Sequence, residues 1–310
     1  MNVLIIGLGS IARKHIVALR NIFGSSIKIY ALRSSLKHVD EVEGIINLYN
    51  IDDLKVELDF IIISNPTVEH LQTVLSVLRY KKPLFIEKPL SHSLDGVEDL
   101  RKQIEDQSLK TYIASNLRFH SCNEFIKEGL ESNRWGKVEE VNVYCGSYLP
   151  DWRPDLVNFK DCYSANTRMG GGVHLDLIHE IDYIYWFFGK PQKSSRYFKS
   201  SSALDIDAVD YAHFVLEYPE FVAQITLNYY RKTPKRTYEI ITSNGVVEVD
   251  LLQGKVKLDD ILIFKAEENE IINTYTKQMQ YFNDKVIVSD GKNMNDIKEA
   301  AAALSICIES

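Results

Sequence analysis

The first 115 residues combine two spacings of hydrophobic and polar positions. Continuous apolar runs of strand length include "NVLIIG", "DFIIIS" and "PLFIE", and the segments between them repeat apolar residues every three or four positions, as in "TVEHLQTVLSVLRY". An unbroken apolar run is typical of a strand buried on both faces, and the other spacing is typical of an amphipathic helix. The alternation predicts an α/β fold with a parallel sheet.

The pattern changes after about residue 120. Runs such as "YAHFVLEY", "FVAQITLNYY" and "GVVEVDLL" contain period-two stretches and are separated by turn residues. They predict a mostly antiparallel sheet, and the segment "MNDIKEAAAALSICIE" predicts a helix. A chain of 310 residues is long enough for two hydrophobic cores. We therefore expect one domain over residues 1–119 and a second, α+β domain over residues 120–310.

A glycine pattern, Gly7-x-Gly9-x-x-Ala12, lies between the first strand and the first helix. Gly7 permits a tight turn, Gly9 lets backbone N–H groups approach a pyrophosphate at the positive end of the helix, and Ala12 allows close packing on the strand. In this order of elements, the pattern predicts a Rossmann dinucleotide-binding domain. The residues expected to contact the cofactor in this turn are Gly7, Gly9, Ser10, Ile11 and Ala12.

The end of the second predicted strand, "IKIYAL", indicates which dinucleotide binds. Leu32 stands where an acidic residue would bind the ribose 2′-hydroxyl of NAD, and Arg33, Ser34 and Ser35 follow it. An arginine with neighbouring hydroxyl groups can bind a 2′-phosphate. The sequence therefore favours NADP over NAD. In the alternative interpretation, Arg33 is an exposed loop residue or stacks on the adenine ring.

Two later strands of the same predicted sheet end in polar residues. "SNPTVEH" (Ser64 to His70) follows one strand, and "EKP" (Glu87 to Pro89) follows another. Ligands of such folds bind beyond the carboxyl ends of the strands. Lys88 could therefore hydrogen-bond a substrate hydroxyl and stabilise the charge that develops on it. The alternative is that Lys88 is an ordinary surface lysine.

The segment "GGGVHLDLIHEID" runs from Gly170 to Asp182 and predicts a helix from about residue 173 to 188. Polar residues at positions i, i+3, i+4 and i+7 share one face of this otherwise apolar helix: Asp176, His179, Glu180 and Tyr183. A buried polar stripe is costly unless its groups are paired or face a cleft. The pattern predicts a functional site with His179 as the acid–base group.

Other polar and small residues of this segment have different expected roles. His174 lies roughly opposite Asp176 on the helical wheel, and we interpret it as structural. Asp182 lies off the polar stripe and is expected to pair with a basic loop residue. The glycine run at 170–172 is expected to let another backbone segment come close.

Composition and charge narrow the classes of partner. The net charge of −7 and the isoelectric point near 5.7 argue against a nucleic-acid binder, which would carry a basic stripe. One dense basic cluster surrounds Pro234, and we interpret it as a solvated hairpin turn. The four scattered cysteines have no CxxC pair, which predicts neither a metal site nor disulfides and fits a reducing cytoplasm. We expect no signal peptide, and no apolar run approaches the ~20 residues that span a membrane.

Three motifs occur in the order in which a known family has them. The glycine pattern, Glu87-Lys88-Pro89 and the Gly170–Asp182 segment together resemble the glucose–fructose oxidoreductase / inositol dehydrogenase (Gfo/Idh/MocA) family, and the similarity spans nearly the whole chain. The resemblance implies a Rossmann domain followed by an open, mostly antiparallel sheet. It also implies NAD(P)-dependent oxidation or reduction at a hydroxyl or carbonyl carbon, often of a sugar or cyclitol.

The resemblance also implies roles for individual residues. Lys88 and His179 match the family's catalytic lysine and histidine, and Asp176 matches its helix aspartate, although the step from aspartate to histidine is three residues here and usually four. "SNPTVEH" resembles the loop that contacts the nicotinamide ribose. The cofactor contacts expected beyond the glycine turn are Ser64, Asn65, Pro66, His70, Glu87 and Lys88.

The expected substrate contacts lie in two further segments. "NLRFH" resembles the family's substrate-side strand end, and "YLPDWRP…YSA…GGGV" resembles a subset often associated with bacterial surface sugars. The candidates for binding the sugar ring or an anionic group on it are Asn116, Arg118, Trp152, Arg153, Tyr163 and Arg168.

These observations favour hydride transfer between NADP or NAD and a sugar, cyclitol or nucleotide-sugar. His179 would accept the hydroxyl proton, Lys88 would bind the same oxygen, and Asp176 would orient the imidazole or hold a neighbouring hydroxyl. A second hypothesis is a sugar lyase or epimerase with a tightly held cofactor and no net redox change. A third is a non-catalytic sensor that binds a dinucleotide. In each case the exposed face of the second sheet could form a homodimer or homotetramer.

Overall fold

The computed structural model describes residues 1–34, 42–152, 157–268, 270–289 and 293–308. Contacts divide the chain into two compact units, Met1–Asn116 with Ile272–Leu304 and Leu117–Ile271 with Ser305–Ser310. The segment 272–304, which the sequence analysis assigned to the second domain, therefore groups with the beginning of the chain. The domain boundary after residue 119 stays a prediction.

The first unit is built on a parallel sheet with the strand order β3-β2-β1-β4-β5-β6. Its strands and helices up to Asn116 are β1 (Asn2–Ile6), α1 (Ser10–Phe23), β2 (Lys28–Leu32), β3 (Ile45–Leu48), β4 (Phe60–Ile63), α2 (His70–Val77), β5 (Leu84–Ile86), α3 (Val97–Asp106) and β6 (Thr111–Ile113). Val3 of the central strand pairs with both Ile29 and Phe60. Because all these strands are parallel, the carboxyl ends of β1, β4 and β5 lie side by side at one edge.

Two elements of this sheet layer differ from the sequence-based expectation. The sequence does not predict β3, because only Leu48 of its four residues is buried and the strand has no continuous apolar core. The segment "SLDGVEDLRKQIEDQ" predicts a helix with Ser93 as its N-cap. The helix begins instead at Val97, because Gly96 adopts a left-handed conformation with φ 75° immediately before it. Ser93 is therefore not its N-cap.

The second unit is built on a larger sheet with the strand order β14-β13-β12-β11-β7-β10-β9-β8. Its elements are α4 (Ser121–Glu131), β7 (Val138–Tyr148), α5 (Val173–Asp176), α6 (His179–Phe188), β8 (Lys193–Lys199), β9 (Tyr211–Glu217), β10 (Val222–Asn228), β11 (Tyr230–Thr242), β12 (Gly245–Asp250), β13 (Lys255–Leu258) and β14 (Ile261–Lys265). β7 and β10 are parallel, and the other neighbouring strands are antiparallel. The predicted fold class, an α/β Rossmann domain followed by an α+β domain with a large mostly antiparallel sheet, is confirmed.

Side chains of the second sheet alternate between a buried and a more exposed face, as the period-two pattern predicts. Val141, Val143 and Cys145 of β7 are buried, and Asn142 and Tyr144 between them are partly exposed. On the buried face, the hydroxyl of Tyr238 in β11 donates a 2.7 Å hydrogen bond to Asn123 of α4.

The sequence suggested that the basic cluster around Pro234 forms a hairpin turn, and this prediction is wrong. It lies within β11, where the register with β7 jumps from Tyr230–Tyr148 to Lys235–Gly146. More residues of β11 than of β7 separate these two pairs, so the cluster bulges out of the strand. Arg231 and Lys235 both lie over the ring of Tyr144, at 5.2 and 5.5 Å from its centroid.

Two further helices, α7 (Glu270–Tyr281) and α8 (Ile297–Ile308), follow the large sheet, with a π-helical turn at Phe282–Ile287 between them. Phe282 is fully buried in the first unit, where its ring contacts those of Phe60 and Phe85. In the same unit, the amide of Asn295 donates to the carbonyl of Ile113 at 2.7 Å. The segment 272–304 therefore supplies part of the core of the parallel sheet. None of the helices within the described ranges is long and apolar enough to cross a membrane.

Candidate active site

The turn after β1 leaves room for an anion at the start of α1. Gly7 has φ +86°, and a Cβ there would lie 2.6 Å from the backbone of Asn65, so this position requires glycine. A Cβ on Gly9 would meet nothing within 4 Å. The first turn of α1 contains no acidic residue, and no side chain caps its N-terminus. This open, positively polarised helix end fits the pyrophosphate of a dinucleotide.

The other residues of this turn lie where the glycine pattern places them. Ala12 is fully buried, as close packing of α1 on the sheet requires. Ser10 is exposed and Ile11 is half-buried at the first two positions of the helix. Their contact with a cofactor stays a prediction.

Arg33 lies directly after β2, beside the glycine turn. The backbone N–H of Gly7 donates to the carbonyl of Leu32, the last residue of β2. The half-buried Arg33 guanidinium donates to the side-chain oxygen of Asn47 in β3 at 3.4 Å, and the exposed Ser34 follows. Ser35 lies outside the described residues.

Ser64 and Asn65 connect the loop after β4 to the glycine turn. The hydroxyl of Ser64 donates to the carbonyl of Gly7 at 2.9 Å. The amide of Asn65 donates to Thr73 at 2.7 Å and to Glu69 at 3.0 Å, whereas its buried Oδ1 has no hydrogen-bond partner among the described residues. A buried amide oxygen without a partner can accept a hydrogen bond from a donor group of a ligand bound at that position. Pro66 next to it is exposed.

His70, predicted to contact the cofactor, is buried at the start of α2. It is 1 % exposed, and its ring nitrogens lie 2.9 Å from two carbonyl oxygens, Nδ1 from that of Pro89 and Nε2 from that of Asn65. Burial lowers the pKa of His70, and the hydrogen bonds to these carbonyls act in the opposite direction. The imidazole connects the loop after β4 to the loop after β5. Both of its ring nitrogens face protein carbonyl groups, which leaves little of the ring for a direct contact with the cofactor. The structure therefore indicates a supporting role.

Glu87 and Lys88 follow β5. The Glu87 carboxylate contacts Nε2 of His15, a fully buried residue of α1, so the segment is anchored to the helix of the glycine turn. Lys88 is half-buried, and the Lys88–Pro89 peptide is cis. Lys88 thus lies at the carboxyl edge of the parallel sheet, as the sequence predicts, rather than as a fully exposed surface lysine.

In the second unit, the helix expected from residue 173 to 188 is interrupted. α5 ends at Asp176 and α6 begins at His179, and Leu177 between them has ψ 29°. The N–H of Glu180 donates to the carbonyl of Leu177, three residues earlier, whereas an α-helix bonds to the fourth preceding residue. The unbroken helix from which the shared face of Asp176 and His179 was predicted is therefore wrong.

Asp176 is held by a tyrosine that the sequence does not point to. The hydroxyl of Tyr229, between β10 and β11, donates a 2.5 Å hydrogen bond to Oδ2 of Asp176. Burial, followed by the Asp176 charge, raises the pKa of Tyr229 well above its usual value, so this hydroxyl stays protonated and donates. Asp176 is itself buried.

The two other carboxylates of the segment are paired with arginines. Glu180 is 0 % exposed and accepts a 2.7 Å hydrogen bond from Nε of Arg236 in β11. Asp182 forms a bidentate pair with Arg118, at 2.8 and 3.0 Å, which confirms the expected basic partner. Arg118 is 1 % exposed and its guanidinium is paired with Asp182, and the substrate contact expected of it stays a prediction. Each of the three acidic residues, Asp176, Glu180 and Asp182, thus has a hydrogen-bonding partner in the second unit.

The two histidines of the segment differ. The ring of His174 lies 4.6 Å from that of Phe198, and burial lowers its pKa to about 4. This environment keeps His174 neutral and fits the structural interpretation. His179 is half-buried at the first position of α6. Tyr183, the last member of the predicted stripe, packs on Tyr238 and Phe187 and belongs to the core.

The remaining predicted substrate residues have mixed environments. The indole of Trp152 donates to the hydroxyl of Ser147 at 2.9 Å and lies edge-on against Tyr229. Trp152 therefore contacts the tyrosine that donates to Asp176. Arg168 is exposed and Tyr163 is half-buried. In the first unit, the amide of Asn116 donates to Thr274 at 2.8 Å. Arg153 lies outside the described residues.

The glycine run before α5 makes the predicted close approach. A Cβ on Gly171 would lie 2.1 Å from the carbonyl oxygen of Tyr163, so the turn containing this tyrosine packs directly on the glycine backbone. Gly172 has φ +132°, which also favours glycine. This packing fixes a candidate substrate residue next to α5.

Sequence reasoning missed His15, Tyr229 and Arg236. Each joins a predicted residue from a distant part of the chain, at separations of 72, 53 and 56 residues. His15 appears in the sequence only as one of the helical positions of α1. No local spacing could have identified the other two as partners of Asp176 and Glu180.

Two family models match the chain. One, described as an oxidoreductase family with an NAD-binding Rossmann fold, matches residues 1–115, and the other, described as a GFO/IDH/MocA C-terminal domain, matches residues 124–248. The glucose-6-phosphate 3-dehydrogenase of Bacillus subtilis is 26% identical over 193 residues, 59% of this chain and 53% of the relative. The myo-inositol 2-dehydrogenase of Thermotoga maritima is 25% identical over 198 residues, 61% of this chain and 55% of the relative. The matches thus span about half the length of these relatives.

Solved structures share the fold over almost the whole chain. The WlbA dehydrogenase of Bordetella pertussis, determined with NADH and UDP-GlcNAcA, has a TM-score of 0.80 at 16% identity, covering 98% of this chain and 92% of that one. At this identity the likeness shows a common fold.

Proposed function

The chain belongs to the Gfo/Idh/MocA family of oxidoreductases, and we propose that it transfers a hydride between a nicotinamide dinucleotide and a hydroxyl or carbonyl carbon of a sugar, cyclitol or nucleotide-sugar. One observation carries the proposal. The loops after β1, β4 and β5 are joined by direct contacts at the carboxyl edge of the parallel sheet, and they include the open helix end at Gly9 and the half-buried Lys88. Dinucleotides bind at this edge in Rossmann folds.

The residues of the first unit fit the cofactor. The N–H groups at the start of α1 would hold the pyrophosphate. Oδ1 of Asn65, which has no hydrogen-bond partner in the described ranges, would accept a hydrogen bond from a ribose hydroxyl. When bound, the cofactor supplies the nicotinamide carbon that accepts or donates the hydride. Lys88 would donate a hydrogen bond to the substrate oxygen and stabilise its alkoxide form.

Residues of the second unit would handle the proton. His179 accepts the proton of the substrate hydroxyl during oxidation and returns it during reduction. The carboxylate of Asp176 is fixed by Tyr229 and would accept a hydrogen bond from a neighbouring substrate hydroxyl. This role replaces the orientation of His179 along a helix face, since the helix is interrupted between the two residues.

NADP is the proposed preferred cofactor. No acidic side chain stands at Leu32, and Arg33 lies at the carboxyl end of β2, where it can reach a 2′-phosphate. The related structure with NADH is a reason to measure both cofactors. We also propose a homo-oligomer formed through the larger sheet and a reducing compartment, which the four buried free cysteines favour.

The proposed substrates are the classes named in the relatives: a sugar phosphate, a cyclitol and a nucleotide-sugar. The resemblance of the Tyr148–Gly172 stretch to proteins of bacterial surface sugars makes nucleotide-sugars, and surface polysaccharide metabolism, the more specific proposal. The exposed side chain of Arg168 is proposed to bind an anionic group of such a substrate.

The first experiment is calorimetric titration with NADPH and NADH, after native mass spectrometry of the purified protein. Tighter binding of NADPH supports the role of Arg33, and equal or tighter binding of NADH removes that role but leaves the hydride transfer standing. Sugars, cyclitols and nucleotide-sugars are then screened for reduction of the preferred dinucleotide at 340 nm. A cofactor that survives purification would favour the lyase or epimerase cycle. A protein that binds neither dinucleotide contradicts the proposal and favours another role for the fold.

A further inference from the structure

Two buried histidines hold the Glu87–Pro89 segment at its two ends. His15 contacts the side chain of Glu87, and His70 contacts the backbone carbonyl of Pro89. Lys88 lies between these two attachment points and is the half-buried member of the segment. The residues before and after the lysine are therefore both held by histidine side chains that solvent does not reach.

His15 connects Lys88 to the helix of the glycine turn. It is 0 % exposed, lies in the second turn of α1, and its ring lies edge-on against Phe85 in β5 at 4.9 Å. Its ring also lies edge-on against Tyr275 of α7. These contacts fix the plane of the imidazole, so that Nε2 meets the Glu87 carboxylate.

His70 connects Lys88 to the loop after β4. Its second ring nitrogen faces the carbonyl of Asn65, whose backbone in turn packs against Gly7. Ser64 donates to the carbonyl of Gly7 from the same loop. The contacts run from the glycine turn through Asn65, His70 and Lys88 and return to α1 through His15. We call this closed set, Gly7–Asn65–His70–Pro89–Glu87–His15, the anchor ring.

We infer that His15 and His70 are positioning residues that fix the side chain of Lys88 relative to the dinucleotide-binding turn. The inference rests on the proposed function, in which Lys88 donates to the substrate oxygen. A donor of this kind acts only when it is held in place by a rigid surrounding shell. The ring supplies that shell from the same loops that would hold the cofactor, so removing either histidine should release Lys88 without removing the pyrophosphate site at Gly9.

The experiment compares His15→Leu and His70→Leu with His15→Gln and His70→Gln in the full chain. Glutamine keeps an N–H donor toward Glu87 or toward one of the two carbonyls, and leucine keeps only bulk. Lys88 is probed by competitive labelling with acetic anhydride, read by mass spectrometry, and the exposed Lys81 serves as the internal control. The affinities for NADH and for ADP are measured by calorimetry.

The expected result is a change in labelling of about threefold at Lys88 in both leucine variants, a smaller change in the glutamine variants, and none at Lys81. The Kd values for NADH and for ADP should both change less than about twofold, because the glycine turn that binds the pyrophosphate stays intact and Lys88 acts on the substrate oxygen. A general loss of structure would move both affinities and both lysines together. If a leucine variant does not fold, His15→Asn and His70→Asn, which keep an amide on a shorter side chain, replace it in the same comparison.

Unchanged labelling of Lys88 in variants that fold would overturn the inference, and so would parallel losses of NADH and ADP affinity. Binding of neither NADH nor NADPH by the wild-type protein would contradict the proposed function instead. The labelling comparison still decides the role of the two histidines in that case, because it needs no bound cofactor.

Discussion

Tyr229 donates a 2.5 Å hydrogen bond to the buried carboxylate of Asp176. The tyrosine lies at the junction of β10 and β11 and the aspartate at the end of α5, so the larger sheet fixes the group that precedes the interruption of the helix. Asp176 is therefore oriented by the sheet rather than by its position on a helix.

Tyr229→Phe removes this donor while keeping the ring that packs on Trp152. We expect the free energy of unfolding to fall by about 1–2 kcal/mol, because a hydrogen bond to a buried carboxylate is lost. Turnover with a substrate from the screen should fall about tenfold because Asp176 is no longer fixed. Urea unfolding and steady-state kinetics measure the two effects. Wild-type turnover in a stable variant would remove Asp176 orientation from the mechanism.

Lys88→Ala and His179→Ala should each abolish measurable turnover and leave the Kd for the dinucleotide nearly unchanged. The reason is that both groups act on the substrate oxygen and its proton, whereas the pyrophosphate site lies at Gly9. Calorimetry and the absorbance assay give the two quantities. Lys81→Ala is the matched control for loss of an exposed lysine. Full activity in either catalytic variant would refute the role assigned to that residue.

Gly9→Ala and Gly7→Ala should separate binding from folding. A methyl group on Gly9 enters open space, so stability should stay within about 0.5 kcal/mol of wild type. The same methyl group would block the approach of a pyrophosphate, and we expect the Kd for NADPH or NADH to rise at least about tenfold. On Gly7 it would collide with the backbone of Asn65 and require a left-handed conformation, so that variant should be destabilised. Thermal melts and calorimetry distinguish these outcomes.

Asp182→Ala should destabilise the second unit by about 3–5 kcal/mol, because it leaves the guanidinium of Arg118 buried without its carboxylate. The double substitution Arg118→Met with Asp182→Leu removes both charges and should recover most of that loss. Urea denaturation of the single and double variants measures the difference. A mild effect in the single variant would mean that Arg118 finds another acceptor or water.

His174 should make the protein less stable in mild acid. Its pKa is about 4 in the folded chain against an ordinary value of 6.5, so between these values the unfolded chain binds the extra proton. Stability therefore falls as the pH drops below about 6.5, by about 2 kcal/mol between pH 7 and pH 5 from this group. His174→Phe, which keeps a ring against Phe198, should lose this part of the pH dependence. Urea titrations at the two pH values test it, and an unchanged slope in the variant would assign the effect to other groups.

Local spacing predicted the parts of the site that are themselves local. The glycine turn, the Lys88 segment at a strand end and the apolar character of the Gly170–Asp182 segment could all be read from neighbouring residues. The interruption at Leu177 could not, because an unbroken helix and an interrupted one fit the same apolar pattern at this length. The burial of His70 and Arg118 could not be predicted for a related reason: a polar residue in a functional loop can face the interior as well as the ligand.

Pairings across the fold were beyond the sequence. Asp182 was expected to have a basic partner, but its identity as Arg118 depends on how α6 lies over a turn 64 residues earlier. The contacts of His15 and Tyr229 depend in the same way on sheet order. A spacing rule describes one element at a time, and these bonds join two.

The return of residues 272–304 to the first unit has a consequence for synthesis of the chain. The parallel sheet begins with the second residue, yet Phe282 in its core and Asn295 at its last strand are translated after the whole of the larger sheet. Domains generally fold as they emerge from the ribosome, N-terminal first. Here the order is reversed in part: the second unit can complete its sheet before residues 272–304, which the first unit needs for its core, have been synthesised. A protein shortened at residue 119 would expose the ring faces that Phe282 covers, and the nucleotide-binding half is therefore expected to fold well only when expressed with the end of the chain.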